Sequence, residues 1–161
     1  MKYILVVVTV SVVFLFTSFM DKNAKPGIGL SKGESAPLIQ TEDFNLQKYS
    51  GKKVLVSFWA TSDARSRAYN ALSHALLTKY SGEIEVVSFN NDSDKVIFSE
   101  TVKIDNLNPD TQHYLKQGNN DDIIVNYHLK DGLNAFLIDK DGVIIAVNPD
   151  FNKLKELSNN F

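Results

Sequence analysis

Six consecutive residues, Val54-Leu55-Val56-Ser57-Phe58-Trp59, constrain this chain more than any other stretch. Successive side chains of a strand point to opposite faces, and here β-branched and aromatic groups supply both. Such a run is stable only where both faces are covered, so it predicts a central strand rather than a sheet edge. Next come Ala68, Ala71, Leu72, Ala75 and Leu76, at the i, i+3, i+4, i+7, i+8 spacing of a helix whose stripe is expected to face the core. Asp63 stands where an N-cap belongs, and Ser81-Gly82 is expected to stop the helix after Tyr80. Ile84–Phe89 reads as a second interior strand. Two strands joined through one helix run parallel with a right-handed crossover.

The polar cluster Asn90–Asp94 ends that strand and leads into a predicted helix from Lys95 to about Ile104. A loop containing Asn108-Pro109-Asp110 follows, then a short helix or turn around Ile123–His128. Ala135–Ile138 and Val143–Val147 form two strands joined by Asp139-Lys140-Asp141-Gly142, a tight hairpin. A closing helix places Phe151, Leu154 and Leu157 on one face. The expected class is α/β: a central mixed β-sheet flanked by helices on both faces, with an apolar helix at the N-terminus. Residues 36–161 read as one domain and 21–35 as a linker. Residues 1–20 carry an apolar run from Tyr3 to Met20 behind a single Lys2, which reads either as a signal peptide or as an N-terminal membrane anchor. Either way the domain is expected to be exported, periplasmic or held at the membrane facing the periplasm.

Charge narrows the function. The chain has 17 Lys+Arg against 19 Asp+Glu, a net −2, which argues against nucleic acid as a partner. It has no cysteine at all. Structural disulfides, thiolate metal sites and thiol nucleophiles are thereby excluded.

Three segments carry a resemblance. Gly33-Glu34-Ser35-Ala36-Pro37 is similar to an opening G-x-x-A-P, Gly51–Thr61 to G-K-x-V-L-V-x-F-W-A-T, and Phe136–Gly142 to F-L-I-D-x-x-G. In this order they resemble the thioredoxin-fold envelope proteins of the TlpA/ResA thiol–disulfide oxidoreductase (redoxin) type, from about Gly33 to Val147. The resemblance implies a thioredoxin-like fold with its functional face at the start of the helix after Trp59. In active members W-A-T is followed by W-C-x-P-C-R. Here Ser62-Asp63-Ala64-Arg65-Ser66-Arg67 stands instead, so Asp63 occupies the attacking thiol's position and Ser66 the resolving one's. Leu133 stands where the family places a cis-proline. The resemblance therefore implies the scaffold without the dithiol chemistry, since neither a serine nor an aspartate can cycle through a disulfide.

Each position also has a plain structural reading. Asp63 is a helix cap, or else a fixed anion that a partner recognises. Arg65 and Arg67 form a solvated pair, or an anion or partner site. Trp59 packs in or beside the core, or else offers an aromatic platform to an extended peptide, which lies on this face in thioredoxin folds. His74, His113 and His128 lack metal-ligand spacing, and His74 is expected to be a surface or satisfied histidine. No G-x-S-x-G motif supports a serine hydrolase. Asp139–Gly142 lacks the remaining ligands of a calcium loop and reads as a turn. The Asn90–Asp94 cluster reads as a solvated loop, with weak divalent-ion binding as its alternative. Gly27-Ile28-Gly29 lacks the strand and third glycine of a dinucleotide site. No cofactor is implied. The favoured reading is a non-catalytic module that binds a protein or peptide partner, with possible tethering through residues 3–20. The alternatives are an accessory subunit of an envelope redox pathway and a thiol-independent enzyme.

Overall fold

The structure is a computed structural model that describes residues 26–79 and 84–158. The apolar run 3–20 and the helix stop expected at Ser81-Gly82 lie outside the described residues. The elements are β1 (Lys53–Trp59), α1 (Ala64–Lys79), β2 (Ile84–Asn90), α2 (Lys95–Ile104), β3 (Gln112–Tyr114), α3 (Asp121–Asn126), β4 (Ala135–Ile138), β5 (Ile144–Val147) and α4 (Phe151–Ser158). They build one mixed sheet of order β3-β2-β1-β4-β5. β1, β2 and β3 are parallel, while β4 and β5 are antiparallel additions. β1 is central, as its composition requires.

Strand alternation divides the core. Val54, Val56 and Phe58 face one side, where they meet Ile39, Phe44, Ile123 and Tyr127. Leu55 faces the other, with Leu77 of α1 and Leu154 of α4. Trp59, at the end of β1, belongs to a third cluster with Val102 and Leu107. Helices thus cover both faces. The fold is thioredoxin-like.

Four sequence expectations need correction. First, most of the stripe assigned to the core on α1 faces outward: Ala68, Leu72 and Ala75 are exposed, Leu72 by 55%, while Ala71 and Leu76 are half-buried against the Trp59 and Leu55 clusters. The buried residues are Ser66, Asn70, Ser73, His74 and Leu77. Apolar spacing failed because the sheet beneath this helix is itself polar. Ser57 on β1, Ser88 on β2 and Gln112 on β3 stand side by side in register and are all buried. Second, the loop after Pro109 contains strand β3, three residues too short to carry a periodicity signal. Third, the Asn90–Asp94 cluster is not merely solvated. Asp92 accepts hydrogen bonds from the Thr61 N–H at 3.0 Å, the Thr61 hydroxyl at 2.6 Å and the Asn90 side-chain amide at 2.8 Å. Asp94 caps α2 through the Val96 N–H.

Fourth, the described part of the linker, from Pro26, does not hang free. Ser35 N–H donates to Gly27 O, Gly33 N–H to Ile144 O, Ile144 N–H to Glu34 O, and Ala36 N–H to Gly142 O, all at 2.8–2.9 Å. This segment covers the outer edge of β5 and protects it from pairing elsewhere. Gly142 ends the hairpin turn at φ 83°, a left-handed conformation that favours glycine. Asp139 closes the same turn by accepting from the N–H groups of Asp141 and Val143.

Tyr127 ties α3 to the segment before β1: its buried hydroxyl donates to Pro37 O at 2.7 Å. Tyr127→Phe strands a buried carbonyl and is expected to cost about 1–3 kcal/mol, read as a lower urea midpoint with an unchanged slope.

Candidate functional site

β1 ends at Trp59, and the chain turns through residues 60–63 into α1. The turn is held from two sides. Asp92 fastens Thr61 from the end of β2, and Asp63 closes the helix start. The Ser66 N–H donates to Asp63 Oδ1 at 2.8 Å, and the Arg67 N–H donates to Asp63 O at 3.0 Å. Hydrogen bonds from Ser66, its backbone N–H first, hold the Asp63 carboxyl below its ordinary value. The Ser66 hydroxyl is buried and turned inward, donating to Asp63 O at 3.2 Å and accepting from the Ala60 N–H at 3.4 Å. The Ser66 N–H and the Ser66 hydroxyl are thus satisfied within the turn itself. A carboxylate sits where a helix N-terminus would stabilise a thiolate, and the hydroxyl at the second position is committed to backbone.

The other motif positions are placed as follows. Ala64 and Arg65 are exposed on the first turn. Arg67 is not one of a solvated pair. Its Nε and Nη2 clamp both oxygens of Asp105 at 2.7 Å, joining α1 to the C-terminal cap of α2. Spacing could not reveal this pair, whose members are 38 residues apart. Trp59 is fully buried and donates its indole N–H to Gln112 Oε1 at 3.1 Å. It cannot serve as a platform. Leu133 is half-buried against the core, and no cis peptide bond occurs among the described residues. Arg65, Ser66, Tyr69, Leu133, Asn134 and Phe151 are among the residues that line a recess of about 250 Å³ beside the Asp63 cap. A larger cavity of about 1040 Å³ lies along β3, bordered by Asp43, Lys95, His113 and Tyr114. It includes none of the motif positions. No cluster of metal-ligating side chains occurs among the described residues.

Beneath the site runs a polar network that sequence reasoning missed. The side chains of Ser57 and Ser88 meet at 2.8 Å, Ser88 meets His74 Nε2 at 3.0 Å, and Gln112 Nε2 lies 2.8 Å from the same nitrogen. Gln112 Oε1 also accepts from Asn70 Nδ2 at 3.1 Å. An indole N–H can only donate, so Trp59 fixes the oxygen of Gln112 and turns its amide N–H toward His74. Nε2 must then accept, which assigns the ring proton to Nδ1, facing the Thr111 hydroxyl at 3.5 Å. Every buried polar side-chain atom described is satisfied. A signal existed in the sequence: both interior strands carry Ser followed by Phe, Ser57-Phe58 and Ser88-Phe89, at matching register.

Burial lowers the His74 pKa from 6.5 to about 4. The unfolded chain takes up this proton first, so the neutral ring's contribution is intact above pH 6.5 and lost as pH falls toward 4. The loss should reach about 3 kcal/mol, on the order of 1.4 kcal/mol per pH unit between the two values. Asp63 and Asp105, both lowered from 3.8, stabilise the fold above that value and lose their contribution only as pH falls further. Urea midpoints measured from pH 7 to 4.5 should therefore drop for the native chain and drop less for His74→Gln, in which His113, also lowered by burial, keeps its own share of the fall. Separately, Asp63→Ala is expected to cost about 1 kcal/mol as a lost N-cap, measurable by thermal unfolding at pH 7.

No protein-family model matches the sequence, and neither does any curated protein. Solved structures do. A thioredoxin-like protein from Parabacteroides distasonis is 36% identical, with 83% of this chain and 98% of that one covered at a TM-score of 0.76. The thioredoxin domain of a thiol-disulfide oxidoreductase from Bacteroides vulgatus is 20% identical over 81% of this chain and 100% of that one, at a TM-score of 0.68. A secreted disulfide oxidoreductase of Mycobacterium tuberculosis is 16% identical over 73% of this chain and 88% of that one, at a TM-score of 0.59. The last two show the fold alone. The first, with the sheet order and the strand-to-helix turn at Trp59–Asp63, establishes that this chain belongs to the thioredoxin-like proteins, as a cysteine-free member.

Proposed function

We propose that this protein is a non-catalytic binding module of the cell envelope, which receives an extended peptide or a partner protein in the recess beside the Asp63 cap. The observation that carries the reading is the helix start itself. Asp63 and Ser66 replace a dithiol with groups that bond to each other, so the fold persists while the electron-transfer chemistry has no atoms to use. The recess is open and has apolar walls from Tyr69, Leu133 and Phe151, with Arg65 at its rim. With Arg65 and Asp150 both on its lining, this apolar surface suits a short extended segment of mixed polarity. The envelope location is supported by the apolar run at residues 3–20. Residues 3–20 are read here as a retained tether.

An insulin-reduction assay on the purified full chain should show no turnover above the uncatalysed rate; turnover would overturn the reading. Binding is tested with an array of extended peptides and amide shift mapping. Shifts should gather at Arg65, Tyr69, Leu133 and Phe151, and Arg65→Glu should weaken the selected peptides roughly ten-fold, about 1.4 kcal/mol. Peptides that bind without perturbing these four residues would remove the recess as the site. Trp59 variants are uninformative here, because the side chain is buried.

A further inference from the structure

We propose that the pole of the domain around Pro26, Ile28 and Leu38 lies against a lipid bilayer, so that the Asp63 recess is presented away from the membrane. The inference rests on the tether reading of residues 3–20 and adds to it the face that the membrane meets. The apolar run ends at Met20, only six residues before Pro26. Six extended residues span at most about 20 Å. A domain of this size has a radius of gyration of about 14 Å and is wider than that reach. Gly27 O accepts from the Ser35 N–H, and the Gly33 and Ala36 N–H groups donate to Ile144 O and Gly142 O of the hairpin, so this stretch adds little slack. The domain can therefore not turn its far side to the bilayer.

The surface at that pole suits the contact. Ile28 is 79% exposed and Leu38 51% exposed. Between them opens a mainly apolar groove of about 550 Å³, walled by Pro26, Pro37, Leu46, Tyr49, Val54 and Ile138, among others. Apolar side chains at a bilayer boundary gain about 25 cal/mol for each Å² withdrawn from water, and tethering removes the entropic cost of bringing them there. Val54 of β1 lines the groove and Phe58, four residues further along the strand, lines the recess, so the two are about 13 Å apart along β1.

The cysteine-free sequence makes the test direct, because each introduced thiol is unique. Full chains carrying Ile28→Cys, Leu38→Cys, Ser62→Cys or Arg65→Cys are labelled with an environment-sensitive fluorophore. They are then reconstituted in vesicles of phosphatidylethanolamine and phosphatidylglycerol. Labels at 28 and 38 should shift to the blue and lose most of their emission to a nitroxide lipid, while those at 62 and 65 stay unchanged. Chains that float with vesicles but leave 28 and 38 unquenched overturn the proposed face and leave the tether standing. Chains that fail to float overturn the tether and the face together. A blue shift at 28 and 38 that grows with protein concentration in the absence of vesicles would assign the groove to a second copy and overturn the proposal.

Discussion

The structure depends on a polar seam buried under α1, the longest helix among the described residues. Ser57, Ser88 and Gln112 lie in one row across three parallel strands, and α1 docks on them through Asn70 and His74. An unpaired polar group in such a place costs more than a lost apolar contact, so the row permits one seating of α1, the one that satisfies every member. That seating fixes the helix's rotation. It explains why Ser66 turns inward, Arg65 outward and Arg67 sideways onto Asp105. The geometry at the helix start follows from this alignment rather than from any property of the motif positions alone.

The same seam shows how a scaffold can outlive its chemistry. The N-terminus of α1 is a source of positive potential and of unbonded N–H groups, which a thiolate would exploit. Asp63 supplies charge and acceptor together, and Ser66 completes the closure. Without sulfur at either position, no buried side-chain polar atom among the described residues is left without a partner. Asp92 and Asp105 add independent ties from β2 and α2. The turn between β1 and α1 is thus tied to both neighbouring elements of the sheet's end.

Much of the fold was legible. Val54–Trp59 is central because no edge could cover both its faces, and the Asp139–Gly142 turn joined two strands as its residues demand. The Asp63 cap was legible too, because capping is local: it needs one acceptor three residues before one N–H. The α1 stripe was not. Periodicity assumes that the buried surface is apolar, and Leu72 obeys the spacing while standing in water. β3 escaped for another reason: three residues carry no periodicity, and they take their place through β2 and through the contacts of Gln112 with Trp59, Asn70 and His74. The burial of Trp59 and the Arg67–Asp105 clamp were likewise hidden, each resting on a partner tens of residues away.

By itself the sequence determined the class of fold, the absence of thiol chemistry and the carboxylate at the helix start, since these depend on residue identity and on spacings of a few positions. Tertiary structure alone decided which side of α1 is buried, which nitrogen of His74 carries the proton, and which pole of the domain receives the chain from residues 21–25. Those properties are set where distant strands come into register. A donor finds its acceptor there through the fold of the sheet, and no local pattern encodes that meeting.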